Sequence, residues 1–262
     1  MRRTWCVPVA AFAIVGGSML ATSGASAATH AAPRAAHSAV QPGGLAQHLV
    51  SPFGAHGVSH ATSSNWSGYA VHSGTYKTVS ASWTEPTGKC SGTQGHDYSS
   101  FWVGLDGYST DSVEQTGTDT DCSGSTPKYY GWYEMFPAGS VNINKPMKPG
   151  DKISASVVFS GTSSFTLTLK DATAGWTATE HKSSSKVKRA SAEVIIEAPS
   201  SETGELPLAD FGTVHFTASM VDGANIGTMN PTKITMVDGG KHLDKITALS
   251  GGANFSGTWL AS

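Results

Sequence analysis

The sequence predicts an antiparallel two-sheet β-sandwich, and three observations lead there. Charged residues make up only 14% of the chain while Gly, Ser and Thr are abundant. Short runs of alternating apolar and polar residues recur between turn signals. No long stretch carries helical periodicity. Strands that are apolar on one side bury that side by stacking two sheets.

The chain divides into three parts. Residues 1–27 read as an export signal: Arg2 and Arg3 open it, Val7 to Leu20 are apolar, and Ala25-Ser26-Ala27 form a small-residue cleavage site. The apolar stretch is too short for a membrane span and no later segment approaches one, so the expected product is secreted, extracellular, monomeric and without stable membrane association. Residues 28–60 are rich in Ala, His, Pro and Gly, and five of the ten histidines fall in the first 60 positions. Removing Arg2, Arg3 and Arg34 from the 17 basic residues leaves 14 against 19 acidic ones from position 61 onward, a formal −5. A basic leader before an acidic domain fits a removable pro-segment held by charge; a disordered linker is the alternative. Residues 61–262 form the expected domain.

Within it, Thr78 to Trp83, Ile153 to Phe159 and Phe165 to Lys170 alternate as half-buried strands do. In the last run Phe165, Leu167 and Leu169 face the core, and Thr166, Thr168 and Lys170 face away. Cys6 leaves with the signal. Cys90 and Cys122 then form an even pair in an exported chain, which predicts a disulfide closing a loop of roughly 33 residues; two separate thiols are the alternative.

Four further runs place polar side chains in strand-like text. They are Phe101 to Gly107, Val113 to Gly117, Gly131 to Pro137, and Ala192 to Glu197. Alternation puts Trp102 and Asp106 on one face, likewise Trp132 and Glu134, and likewise Glu193 and Glu197. Carboxylates are uncommon inside strands unless solvated, paired or used. These runs therefore read as a functional groove. Glu114 should point to the opposite face from Gln115.

Common hydrolase signatures are absent: no Gly-x-Ser-x-Gly, no His-Glu-x-x-His, no Asp-Thr/Ser-Gly. A Ser–His–Asp triad stays open, since its members meet only in space. The histidines beyond residue 60 lack ligand spacing, so no metal and no cofactor are expected. The basic stretch Lys182 to Arg189 reads as a solvated loop in an acidic domain, so no nucleic-acid partner is expected.

Taken in order, the blocks resemble the glutamic peptidases, the eqolisin family of secreted acid endopeptidases. They run from Asn65-Trp66-Ser67-Gly68-Tyr69, through Trp102 to Gly107, Gln115-Thr116-Gly117, Trp132-Tyr133-Glu134 and Ala192 to Glu197, to Leu206 to Phe211. The resemblance spans nearly all of residues 62–262. It implies a β-sandwich of lectin-like architecture and a Gln/Glu dyad acting on polypeptide substrates. Carried over, the Gln is Gln115 and the Glu is Glu197, with Glu193 as a supporting acid. Trp66, Trp102, Asp106, Trp132 and Glu134 would line the groove or stand just behind it. One carboxylate can serve as base to water and then as acid to the leaving amine, while a neutral amide donor stabilises the oxyanion. Met135, Phe136 and Ala198-Pro199 depart from the family pattern and bear on specificity and pH optimum. A glycan-binding sandwich or a two-carboxylate glycosidase is the rival reading.

Overall fold

The computed structural model describes residues 58–90, 96–201 and 204–262. The expected export signal and nearly all of the expected leader lie outside the described residues.

The strands, in chain order, are β1 (Ser59–Ser63), β2 (Trp66–His72), β3 (Thr78–Thr84), β4 (Ser100–Leu105), β5 (Val113–Ser123) and β6 (Thr126–Phe136). Next come β7 (Val141–Ile143), β8 (Lys152–Gly161), β9 (Ser164–Asp171), β10 (Trp176–Ser183), β11 (Ser191–Glu197), β12 (Ser200–Ser201) and β13 (Gly204–Glu205). The remainder are β14 (Thr213–Val221), β15 (Ala224–Asn225), β16 (Thr232–Asp238), β17 (Lys241–His242), β18 (Asp244–Ile246) and β19 (Phe255–Trp259). The order across the first sheet is β1-β16-β2-β11-β4-β5-β6-β7, with β17 on β16. Across the second it is β10-β9-β8-β3-β14-β19-β18, with β15 on β14. The predicted sandwich is present. Pairing is antiparallel except between β1 and β16.

The alternation in the sequence builds the core directly. Phe101, Val103 and Leu105 of β4 and Ala192, Val194 and Ile196 of β11 pack against Val79, Ala81 and Trp83 of β3, together with Ile153, Ala155 and Val157 of β8 and Phe165, Leu167 and Leu169 of β9. Fully burying one such large apolar side chain contributes about 1.5–3 kcal/mol. Central strands are covered on both faces: every residue of β11 is buried. That is the difference between β11 and β9, whose outward residues stay partly solvated.

Cys90 and Cys122 are disulfide-bonded as expected, 32 positions apart. The bridge joins the chain beyond β3 to the far end of β5, the strand that carries Gln115.

Candidate active site

A second apolar cluster lies on the face of the first sheet turned away from the core, and includes Trp66, Trp102, Trp132 and Ile195. The polar residues singled out in the sequence sit among them. Their positions follow from the strand register, which can be read as rows crossing β2, β11, β4, β5 and β6. One row runs Ala70, Glu193, Gly104, Gln115, Glu134. The next runs Gly68, Ile195, Trp102, Gly117, Trp132, and the one beyond runs Trp66, Glu197, Ser100, Asp119, Tyr130.

This register bears on which acid stands nearer Gln115. Glu193 and Gln115 occupy the same row, on either side of Gly104. Their backbones are two strand spacings apart, roughly 10 Å. Glu197 lies four residues further along β11, about 13 Å away from Glu193 in the strand direction. Two side chains of this length span the first gap but not the diagonal. By register Gln115 lies nearer to Glu193 than to Glu197, which bonds Trp102 and Asn65.

Glycines open the space between them. A Cβ on Gly104 would come within 2.8 Å of the Trp102 ring and 3.3 Å of the Gln115 Cβ. One on Gly117 would lie 2.5 Å from the Trp102 Cβ and 2.2 Å from the Phe101 carbonyl oxygen. Both positions must be bare for the Glu193, Gln115 and indole side chains to share one face.

The hydrogen bonds separate the roles. Gln115 Nε2 donates to Glu134 Oε2 at 2.7 Å, which fixes the amide. Trp102 Nε1 donates to Glu197 Oε2 at 2.8 Å, and Asn65 Nδ2 reaches Glu197 Oε1 at 3.4 Å. Trp132 Nε1 donates to Asp119 Oδ1 at 2.6 Å. Trp66 packs edge-on against Trp102 with ring centroids 4.8 Å apart, and its own N–H has no acceptor among the described residues. No hydrogen bond of ordinary geometry reaches either oxygen of Glu193.

Burial controls the charges. Glu193 is raised well above the usual carboxylate range by desolvation; the nearby Ser191 hydroxyl lowers it, while the charges of Asp106 and Glu114 raise it further. Glu134 is pushed up to about 9 by desolvation, offset in part by the Gln115 amide. Asp121 is also raised well above its ordinary value, by desolvation and then by the Asp119 charge. These three carboxyls therefore hold their protons to higher pH than free ones do. The face pairs a fixed amide with a carboxyl that is poorly solvated, the combination needed for water activation beside an oxyanion donor.

Of the two places expected for Asp106, in the groove or just behind it, the structure gives the second. It follows the end of β4 with φ 69°, and its side chain turns to the loop before β11. There it accepts hydrogen bonds from the backbone N–H groups of Lys188, Arg189 and Ala190 at 2.7–3.0 Å. It holds the segment that leads into Glu193. Strict alternation fails here because the strand has already ended.

Glu114 sits opposite Gln115 on its strand, as alternation requires, paired with Leu105 and Met135. Burial, with the Asp106 charge beside it, pushes it up to about 8. Asp119 and Asn65 join the site although the sequence does not single them out as site residues. The alternation Gln115, Gly117, Asp119 carries the first on one strand face; Asn65 precedes β2 and has no periodic signal. Among the described residues no group of three or more His, Cys, Asp or Glu is arranged to hold a metal ion.

The Peptidase A4 family model matches residues 64–255. The structure is similar to that of scytalido-glutamic peptidase with a transition state analog inhibitor, with 26% identity over 75% of this chain and 98% of that one and a TM-score of 0.66. It is similar to SCP-B, a member of the eqolisin family of peptidases in complex with the tripeptide Ala-Ile-His, at 26% identity over 75% and 98% of the two chains and a TM-score of 0.61. Aspergilloglutamic peptidase from Aspergillus niger shares the fold at 24% identity, covering 63% of this chain and 99% of that one, with a TM-score of 0.56. No curated protein sequence matches the chain.

Proposed function

We propose, from the premise that this chain belongs to the Peptidase A4 family of glutamic endopeptidases, that Gln115 and Glu193 are its catalytic pair. The observation that carries this reading is their placement in one row across Gly104. Glu193, as carboxylate, takes a proton from water while the water oxygen bonds to the substrate carbonyl carbon. The carbonyl oxygen becomes an oxyanion, to which the Gln115 amide donates. Protonated Glu193 then gives the proton to the departing nitrogen, the C–N bond breaks, and the carboxylate is regenerated. A raised pKa strengthens Glu193 as a base toward water and keeps it able to hold the proton between the two steps. Glu134 orients the amide, and Glu197 orients Trp102.

The test is turnover of a denatured protein substrate at acid pH. Glu193→Gln and Gln115→Ala are expected to lower kcat by at least about 10²-fold, with Glu197→Gln affected less. Folded Glu193→Gln with near wild-type turnover, beside an inactive Glu197→Gln, would return the role to Glu197. Parallel incubation with polysaccharides addresses the glycosidase and glycan-binding alternatives.

An acid working range and export belong to the same proposal. Glu134 supports the first: raised to about 9, it is uncharged in acid, so no second negative charge stands beside the Gln115 amide when Glu193 ionises. The signal-like residues 1–27 support the second, with 28–60 as a leader removed on maturation. Mass spectrometry of the N-terminus of material recovered outside the producing cells tests both boundaries.

A further inference from the structure

The two outer faces of the sandwich differ in charge. The acids described above stand on or beside the first sheet. On the outer face of the second sheet, among the described residues, no Asp or Glu occupies an outward strand position. Glu180 of β10 pairs with Leu167 on the inward side and bonds Lys182 at 3.0 Å; Asp171 and Asp244 are buried inward. The outward positions instead carry Lys152, Lys170, Lys245, His181 and His215, all exposed.

Most of the remaining outward positions are Ser or Thr. Register aligns Thr177, Lys170, Ser154, Ser82 and Thr217 in one row across five strands. In the adjacent row Lys152 Nζ donates to Thr84 Oγ1 at 2.8 Å. Between these rows lies a shallow cleft of about 370 Å³, lined by Lys152, Lys170 and His215 over a floor that includes Ser82, Thr84 and Ser154.

We infer that this face binds an anionic polysaccharide, with carboxylates of the polymer against Lys152 and Lys170 and its hydroxyls on the Ser and Thr rows. A cationic face, with Asp222 at its edge against Thr78, on an acidic domain complements an extended polyanion and repels copies of itself. The hydroxyl rows match a sugar chain. Single-stranded nucleic acid would call for stacking aromatics or arginine, and no Arg, Trp, Tyr or Phe stands outward on these strands. A membrane surface would call for a denser basic cluster with apolar side chains to insert. With the candidate active site on the opposite sheet, a tethered molecule keeps that face toward the solvent.

The experiment is retention of the full-length protein on immobilised polygalacturonate at pH 5.5 and low salt, with dextran beads and phosphatidylglycerol vesicles as comparisons. The wild type should be retained on polygalacturonate alone and released by added salt. Lys152→Glu with Lys170→Glu should weaken retention at least about tenfold, while Lys145→Glu with Lys148→Glu, on an exposed loop elsewhere, should not. Cleavage of a soluble short peptide should be the same in all three proteins, so failure of the peptidase reading would show separately. If the charge reversal disturbs folding, Lys152→Gln with Lys170→Gln takes its place and should still weaken retention. Absence of retention, equal loss with either lysine pair, or equal or stronger binding to vesicles would each overturn the inference.

Discussion

Glu85→Gln should make the protein more stable at neutral pH while changing little in acid. Glu85 follows β3, is 1% exposed, and accepts a hydrogen bond from Thr120 Oγ1 at 2.7 Å. Desolvation is the largest cause pushing its pKa from 4.5 up to about 8, with hydrogen bonds from Thr118, Thr120 and Trp83 working against it. The folded-state pKa is raised above the unfolded value, so the folded state binds the extra proton. Its contribution is fully present below about pH 4.5 and is lost as pH rises toward 8. Each unit in that window costs about 1.4 kcal/mol. Between pH 4 and pH 7 the loss from this one side chain is about 3 kcal/mol. Gln is neutral at both pH values and can still accept from Thr120. Urea unfolding of the wild type and variant at pH 4 and pH 7 measures the difference. The variant should gain on the wild type by a few kcal/mol at pH 7 relative to pH 4. An equal wild-type-minus-variant difference at the two pH values would refute the argument, because it would mean that Glu85 carries the same charge in both. Glu114, Glu134 and Asp244 are raised in the same direction, to about 8, 9 and 7, chiefly by desolvation. The fold should therefore be an acid-stable one that weakens toward alkaline pH. The contributions do not simply add, since the structure relaxes as the first of these groups ionises.

Gly104→Ala should lower kcat for peptide hydrolysis by more than about tenfold with a smaller effect on Tm, because the new methyl meets the Trp102 ring and Gln115 rather than backbone. Asp106→Ala leaves three backbone N–H groups without their acceptor and should cost about 2–4 kcal/mol in urea unfolding, with turnover reduced as the approach to Glu193 loosens. Replacing Cys90 and Cys122 together by Ser should lower stability by about 3–4 kcal/mol, the chain-entropy value for closing a loop of this length, as read by thermal unfolding with and without reductant.

Much of the molecule is legible in the chain itself. Alternation in Phe165 to Lys170 and in Ile153 to Phe159 fixes which residues enter the core, because a strand has a period of two whatever it pairs with. The same rule places Glu193, Glu197 and Trp102 on the side of their strands turned away from the core and sends Glu114 away from Gln115. The Cys90–Cys122 bridge follows from parity. Asp106 escapes the rule for a local reason: β4 ends at Leu105, and the next residue takes a left-handed conformation that alternation does not describe.

The choice between Glu193 and Glu197 is of a different kind. Both lie on one face of one strand, and period two cannot separate them. What separates them is register: β11 against β4 places Glu193 at Gly104, and β4 against β5 places Gly104 at Gln115. Sliding β11 by four residues would keep every side chain on its proper face and place Glu197 instead of Glu193 in the row of Gln115. A strand's own sequence thus determines which residues face the groove. Only the packed sheet, where Gly104 leaves room for its two neighbours, determines which of them meet.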